Sequence, residues 1–518
     1  MRKTSILNGT LHIFPVTMRS VHFTLLFLVV IGQGLHVHAQ SRIPYNGRQL
    51  FLSGANIAWV NFAADIGPGP TDPGTFRDMF DSLHAARGNT MRLWLHTNGA
   101  ATPEFNAAGL VIGPGANAIA DMQTILDAAR ERKIGLILCL WSFDMLRISF
   151  GSDITGRAAL MLTDTFATRA YIDNALVPIV NALKGHPGII AWEVCNEPEG
   201  MSDEFGWPFT YHVPMATIQR FVNRIAGAIH RTDPGARVTT GAWSFIPLTD
   251  VQAVGKAADP MTLSHSLTRE EQQDIEARFA GHYGAVLPVE EILAPFACPQ
   301  RMNYYRDDRL IAAGGDPLGI LDFYSVHYYD WGGTALSPFF HPFEHWALTK
   351  PLVVAEFFLN DSFGIRYNAL YQALYALGYA GAMSWQWFEN PVQQNRTKEV
   401  MRELYARYAR DIDPDSSGGS TGNSPAAFSM LNNFPNPCNG FTTVEFVIPQ
   451  PSNVHIVVYD VQGRKVVELV NETRQAGYYV SGWSPVVASG VYLCRMVAED
   501  LATGRECYTV TRKIMVIR

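Results

Sequence analysis

Nucleic-acid binding leaves a basic footprint, and this chain has none. Its 40 Lys and Arg stand against 47 Asp and Glu, a net charge of −7, with no basic run and no stripe of basic and aromatic residues. Metal and redox spacings are missing too. The six cysteines, Cys139, Cys195, Cys298, Cys438, Cys494 and Cys507, are scattered without a C-x-x-C pair, so they form neither a zinc site nor a disulfide scaffold. No metal- or nucleotide-binding motif appears, and no cofactor is expected. Long apolar runs are equally scarce. The stretch from Val21 to Gly34, behind Arg19 and ahead of Val37-His38-Ala39, is too short to span a bilayer comfortably and reads as a secretory signal over residues 1–39. No other stretch is apolar enough for a membrane anchor in the mature chain. Charged residues make up only 17% and hydrophobic ones 47%, a balance that fills large cores. At 518 residues, two domains and a leader are expected.

What the chain does have is aromatic surface, 12% of residues with 11 Trp, and flat indole faces are platforms for sugar rings as well as core fillers. From Gln49 to about Arg410, short apolar runs alternate with helical patterns, the signature of β/α units around a parallel sheet. Eight strands are predicted: Leu50 to Ile57, Thr90 to Leu95, Ile134 to Leu140, Ile189 to Val194, Arg237 to Thr240, Phe323 to His327, Leu352 to Glu356 and Ala382 to Trp387. Eight such units in one domain, residues 40–410, point to a (β/α)8 TIM barrel with insertions. The largest insertion, about 247–319, carries a charged helical piece from Thr268 to Phe279, which either walls the cleft or packs on the barrel rim. Cys139 and Cys195 fall near the ends of adjacent strands and are read as buried free thiols, with a bridge as the alternative. Beyond Arg410 comes a Ser- and Gly-rich linker, residues 411–426. Residues 427–518 alternate as in a small all-β sandwich of Ig-like type.

Two strands end in glutamate: Trp192-Glu193-Val194-Cys195-Asn196-Glu197-Pro198 and Pro351-Leu352-Val353-Val354-Ala355-Glu356-Phe357. A carboxylate at the exit of a buried strand is costly to desolvate, and in a β/α barrel the C-terminal strand ends are where reacting groups converge. A pair of them suits glycoside hydrolysis, in which one carboxyl donates a proton and the other captures the sugar cation. Either alone reads equally as a buried ion-pair partner. Their company is Arg92 on the second strand, Asn196 before Glu197, His327 and Tyr329 at the end of the sixth, and Trp385 on the eighth.

In this strand order the Asn-Glu-Pro motif, the strand-two Arg, the His-x-Tyr of Val326-His327-Tyr328-Tyr329, the Ala-Glu-Phe of strand seven and the strand-eight Trp resemble glycoside hydrolase family 5, a family of retaining β/α-barrel glycosidases. The resemblance spans roughly Leu50 to Arg410. It implies Glu197 as acid/base and Glu356 as nucleophile, with Arg92 and Tyr329 keeping the nucleophile ionised. It implies too that Asn196 bonds the 2-hydroxyl of the cleaved sugar, that His327 orients the site or touches substrate, and that Trp385 floors the subsite. Arg92-Leu93-Trp94, Ala191-Trp192-Glu193 and His327-Tyr328-Tyr329-Asp330-Trp331 look like the mannanase branches. The third strand, Leu138-Cys139-Leu140-Trp141-Ser142, lacks the histidine usual in cellulase branches, whereas Glu356-Phe357-Phe358 departs from the glycine many members carry there. The expected activity is therefore endo-β-1,4-mannanase on a polysaccharide substrate. An endo-β-1,4-glucanase and a non-catalytic glycan-binding surface protein are the alternatives.

The C-terminal stretches Asn433 to Gly440, Val458 to Arg464, Ala488 to Tyr492 and Arg512 to Val516 resemble, in order and terminal position, the type A sorting domain of the type IX secretion pathway. That resemblance implies outer-membrane secretion machinery as a partner and a secreted or cell-surface destination.

Overall fold

Runs such as Gly135-Leu136-Ile137-Leu138-Cys139-Leu140, apolar at successive positions rather than at alternate ones, suit strands buried on both faces, and parallel strands covered by helices are of that kind. The computed structural model describes residues 42–69, 71–252, 259–297, 301–388 and 390–415, and then 427–430, 433, 436–438, 442–474, 477–483, 485–501 and 503–517. The expected signal segment, most of the linker and Cys298 lie outside the described residues.

The eight runs become β1 Leu52–Ala58, β2 Thr90–Thr97, β3 Gly135–Ser142, β4 Ile189–Asn196, β5 Val238–Ala242, β6 Tyr324–His327, β7 Leu352–Glu356 and β8 Gly381–Ser384. They pair in parallel, each with the next and β8 with β1, to close a barrel. The eighth strand stops at Ser384, so Trp385 and Trp387 stand just beyond its end rather than within it. Amphipathic helices cover the outside, among them α1 Pro73–Ala85, α2 Ala118–Glu131 and α3 Met215–Thr232. In α3, Ile218, Phe221, Val222, Ile225 and Ile229 recur at helical spacing and are buried. Within the insertion runs α4 Arg269–Tyr283; after β7 come α5 Leu370–Ala376 and α6 Pro391–Ile412.

Helix α6 runs past Arg410 to Ile412. Asp411 is still in α6, where its carboxylate pairs with Arg42 at 2.9 Å and accepts the Tyr375 hydroxyl at 2.8 Å, so the last helical turn is tied to the barrel floor. Cys139 and Cys195 are buried free thiols, and Cys438, Cys494 and Cys507 are free as well.

The C-terminal part forms two antiparallel sheets. One joins β9 Ser429–Met430, β10 Thr442–Ile448 and β13 Gly477–Trp483; the other joins β11 Ser452–Asp460, β12 Lys465–Arg474, β14 Gly490–Asp500 and β15 Glu506–Val516. In β11 buried and partly exposed residues alternate, and Val454, Ile456 and Val458 meet Phe446, Ile448 and Trp483 of the facing sheet in one core. None of that core's residues belongs to the barrel core.

Candidate active site

At the C-terminal strand ends the site is organised by one fully buried cation. Arg92 has five N–H donors, and each meets an acceptor. Its Nε donates to Glu193 Oε2 at 2.7 Å and its Nη2 to Glu193 Oε1 at 2.5 Å and Asn196 Oδ1 at 2.6 Å; Nη1 donates to Asn56 Oδ1 at 2.9 Å and to Glu356 Oε1. Asn56 is fixed in turn by its own amide, which donates to the carbonyls of Ala355 and Ser384. Strands β1, β2, β4 and β7 are thereby locked around a single guanidinium. This network needs room on β5: a Cβ at Gly241 would meet Glu193 Oε1 at 2.6 Å and Arg92 Nη2 at 3.2 Å. A glycine is required there by close approach alone.

Glu197 follows β4 in the left-handed conformation, φ 46° and ψ 50°, unusual for a residue with a side chain and held by its N–H donating to the Gly241 carbonyl at 2.7 Å. Pro198 then opens a 3₁₀ turn, Pro198–Met201. One oxygen each of Glu197 and Glu356 and a ring nitrogen of His327 lie within 4.8 Å of one another. Oxygens this close are compatible with the separation of about 5 to 5.5 Å between carboxyl groups that permits a covalent sugar intermediate.

The two carboxyl groups have different surroundings. Glu356 binds Arg92 through one oxygen and accepts the Tyr329 hydroxyl at 2.8 Å through the other. Glu197 shares a hydrogen bond of 2.8 Å with His327 Nδ1 and accepts the Tyr283 hydroxyl at 3.3 Å. Burial, followed by the charge of Glu356, holds the Glu197 carboxyl well above the usual range. Glu356 is also raised by burial, but Arg92 and Tyr329 pull against it, so it ionises first. Arg92 already pairs with two carboxyl groups, those of Glu193 and Glu356. Ionising Glu197 would add a negative charge beside His327, which burial keeps neutral. Glu199, two residues on, is buried as well; desolvation raises it to about 7 while the Tyr305 hydroxyl and the Trp243 N–H hydrogen-bond its carboxyl.

Between the carboxyl groups and solvent opens a groove of about 380 Å³ lined by Trp59, Trp94, Phe143, Asn196, Trp385 and others. Trp385 stands 6.1 Å from Trp59 and 5.8 Å from Trp94, ring to ring. All seven residues singled out from sequence, Arg92, Asn196, Glu197, His327, Tyr329, Glu356 and Trp385, are brought together here. Of the other tryptophans weighed, Trp94 faces the groove, whereas Trp141, Trp243 and Trp387 pack into the barrel core.

Sequence reading left open whether the insertion walls the cleft or packs on the rim, and singled out none of the residues it supplies. Helix α4 opens with a capping box, Thr268 and Glu271 bonding each other's backbone N–H, and stops at Gly284, whose φ of 62° suits glycine. Its last turn carries His282 and Tyr283 into the groove. That turn is pinned from the β3 side, because Arg147 donates to the Tyr283 carbonyl and pairs with Asp144 at 3.2 Å. The insertion therefore walls the cleft. The available signal was Gly284, a helix stop five residues beyond the predicted end at Phe279.

Two buried carboxyl groups with oxygens within 4.8 Å of each other and unlike hydrogen-bond partners, at the mouth of a (β/α)8 barrel, suit glycoside hydrolysis. Comparison with known proteins agrees. Residues 51–336 match Cellulase (glycosyl hydrolase family 5), and residues 432–514 match the secretion system C-terminal sorting domain. The chain is 32% identical to mannan endo-1,4-beta-mannosidase of Mytilus edulis over 71% of its own length and 91% of the relative's. It is 30% identical to the enzyme of that name from Cryptopygus antarcticus, over 74% and 91%. The solved β-mannanase from the blue mussel Mytilus edulis superposes with a TM-score of 0.57 at 31% identity, covering 71% of this chain and 96% of that one. That of Eisenia fetida gives 0.57 at 30% identity, covering 71% and 94%. The chain belongs to glycosyl hydrolase family 5. Its sorting domain marks it for secretion or display at the cell surface.

Proposed function

We propose that the chain is a retaining endo-β-1,4-mannanase acting by double displacement. Glu356 attacks the anomeric carbon as an ionised nucleophile while Glu197 delivers its proton to the departing glycosidic oxygen, leaving a sugar ester on Glu356 and a free chain end. Glu197, now a carboxylate, takes a proton from water as that water attacks the same carbon and releases Glu356. Arg92 and Tyr329 keep the charge on Glu356 before attack. Asn196, its carbonyl committed to Arg92, offers its NH₂ to the 2-hydroxyl, and Trp385 floors the ring. His327 orients Glu197.

The observation that supports these roles best is the asymmetry of the pair: each is buried and accepts a tyrosine hydroxyl, but Glu356 alone binds Arg92, whereas Glu197 shares a hydrogen bond with a neutral histidine. The substrate follows from the relatives, whose names are those of mannan-cleaving enzymes over nearly their whole length. A hydrolysis screen on galactomannan and carboxymethylcellulose tests this reading. Mannan cleavage with little action on the glucan is expected; the reverse result would make the chain a glucanase, and inactivity on both would remove the endo-acting reading.

A further inference from the structure

We propose that His282, supplied by the insertion helix, is a substrate-contacting residue that hydrogen-bonds a hydroxyl of the sugar held between Glu197 and Glu356. The inference rests on the glycosidase reading and adds to it a contact that comes from outside the barrel strands.

His282 lines the groove at the last turn of α4, with a side chain only 4% exposed. Its ring stands at 87° to Trp385, centroids 4.9 Å apart, and 4.5 Å from that of Tyr329. Neither nitrogen is committed: Nδ1 has no hydrogen-bond partner among the described residues, and Nε2 stops 4.0 Å from Glu356 Oε2, beyond hydrogen-bond reach. Three of its polar neighbours differ. Tyr329 and Tyr283 give their hydroxyls to the carboxyl groups, and the Asn196 carbonyl is taken by Arg92. A buried imidazole without partners, in an aromatic wall beside the reacting pair, is costly unless a ligand completes it.

The chemistry matches a sugar. Burial pushes the His282 imidazole down to about 3, so the ring is neutral at ordinary pH. It then carries one donor and one acceptor, and a hydroxyl offers both in return. Its position does not depend on the ligand, since Arg147 ties the Tyr283 carbonyl to Asp144 and Gly284 ends the helix there. Such a contact is preorganised, which favours a gain in the transition state rather than in loose binding.

The test compares the full chain with His282→Ala, His282→Asn and His282→Gln, measuring kcat and KM on mannopentaose together with thermal melting. For His282→Ala, a fall in kcat/KM of roughly 10- to 100-fold with an unchanged melting temperature is expected. The asparagine amide reaches where Nδ1 lies and the glutamine amide where Nε2 lies, so at least one of them should recover much of the loss. Wild-type kcat/KM in His282→Ala would overturn the inference. So would a loss that neither amide recovers and that comes with a lowered melting temperature, which would make His282 a packing residue. Wild-type protein inert on mannan and glucan alike would instead remove the glycosidase reading, and this inference with it.

Discussion

Tyr283, at the end of the insertion helix, donates its hydroxyl to Oε1 of Glu197 at 3.3 Å, so a residue outside the barrel strands helps to set the proton affinity of the candidate acid. That hydrogen bond favours the charged form of Glu197 and lowers its pKa against the larger upward effect of burial. Removing it therefore raises the pKa. Activity requires Glu197 protonated and Glu356 ionised, which gives a bell-shaped profile whose alkaline limb belongs to Glu197. Tyr283→Phe should move that limb to higher pH and leave the acid limb nearly in place. A pH profile of kcat/KM on soluble mannan checks this; an alkaline limb that stays put or moves down would contradict it.

Arg92 and Glu193 leave little room beside Gly241. Gly241→Ala would press a methyl group to 2.6 Å from Glu193 Oε1, and a fully satisfied buried ion network has little freedom to yield. Destabilisation of about 1–3 kcal/mol is expected in chemical denaturation, with a loss of kcat as Arg92 shifts against Glu356.

The two glutamates should fail in different ways. Glu356→Ala should lower kcat at least about 10³-fold on every substrate, since no other group can form the sugar ester. Glu197→Ala should be nearly as damaging on mannan but much less so on an aryl glycoside whose leaving group needs no proton, and added azide should restore turnover by taking the place of activated water. If the two variants showed the same pattern across both substrates, the roles would be misassigned.

The barrel and the C-terminal sandwich bury separate cores. A chain ending at Asp415 should keep kcat and KM on mannan within about twofold and melt as one cooperative unit. Its export by a host with the matching secretion machinery should be lost, as an assay of the medium and the cell surface would show.

Much of the barrel was legible because its strands are buried on both faces: Leu136 to Leu140 or Leu352 to Ala355 admit few other readings once helical patterns flank them. Glu197 and Glu356 stood out for the same reason, each ending an apolar run with a charge. What pairs with them was partly visible. Arg92 was expected beside Glu356, but its equal engagement with Glu193 was not, because a motif does not reveal that one guanidinium serves two carboxylates on different strands. His282 and Tyr283 were hidden further. They sit some forty residues from any strand motif, and where a loop-borne helix comes to rest depends on tertiary contacts such as Arg147 with the Tyr283 carbonyl. In the sandwich, β12 and β13 escaped notice: Lys465–Arg474 has no clean alternation of buried and exposed residues and mixes charges into its β-branched ones.

The most direct test is the anomeric form of the first sugar released. Proton NMR of mannopentaose hydrolysis, recorded before mutarotation, should show the β-anomer at the new reducing end, the outcome of two displacements through Glu356. The α-anomer appearing first would mean a single displacement by water, and the roles given to Glu197 and Glu356 would be wrong.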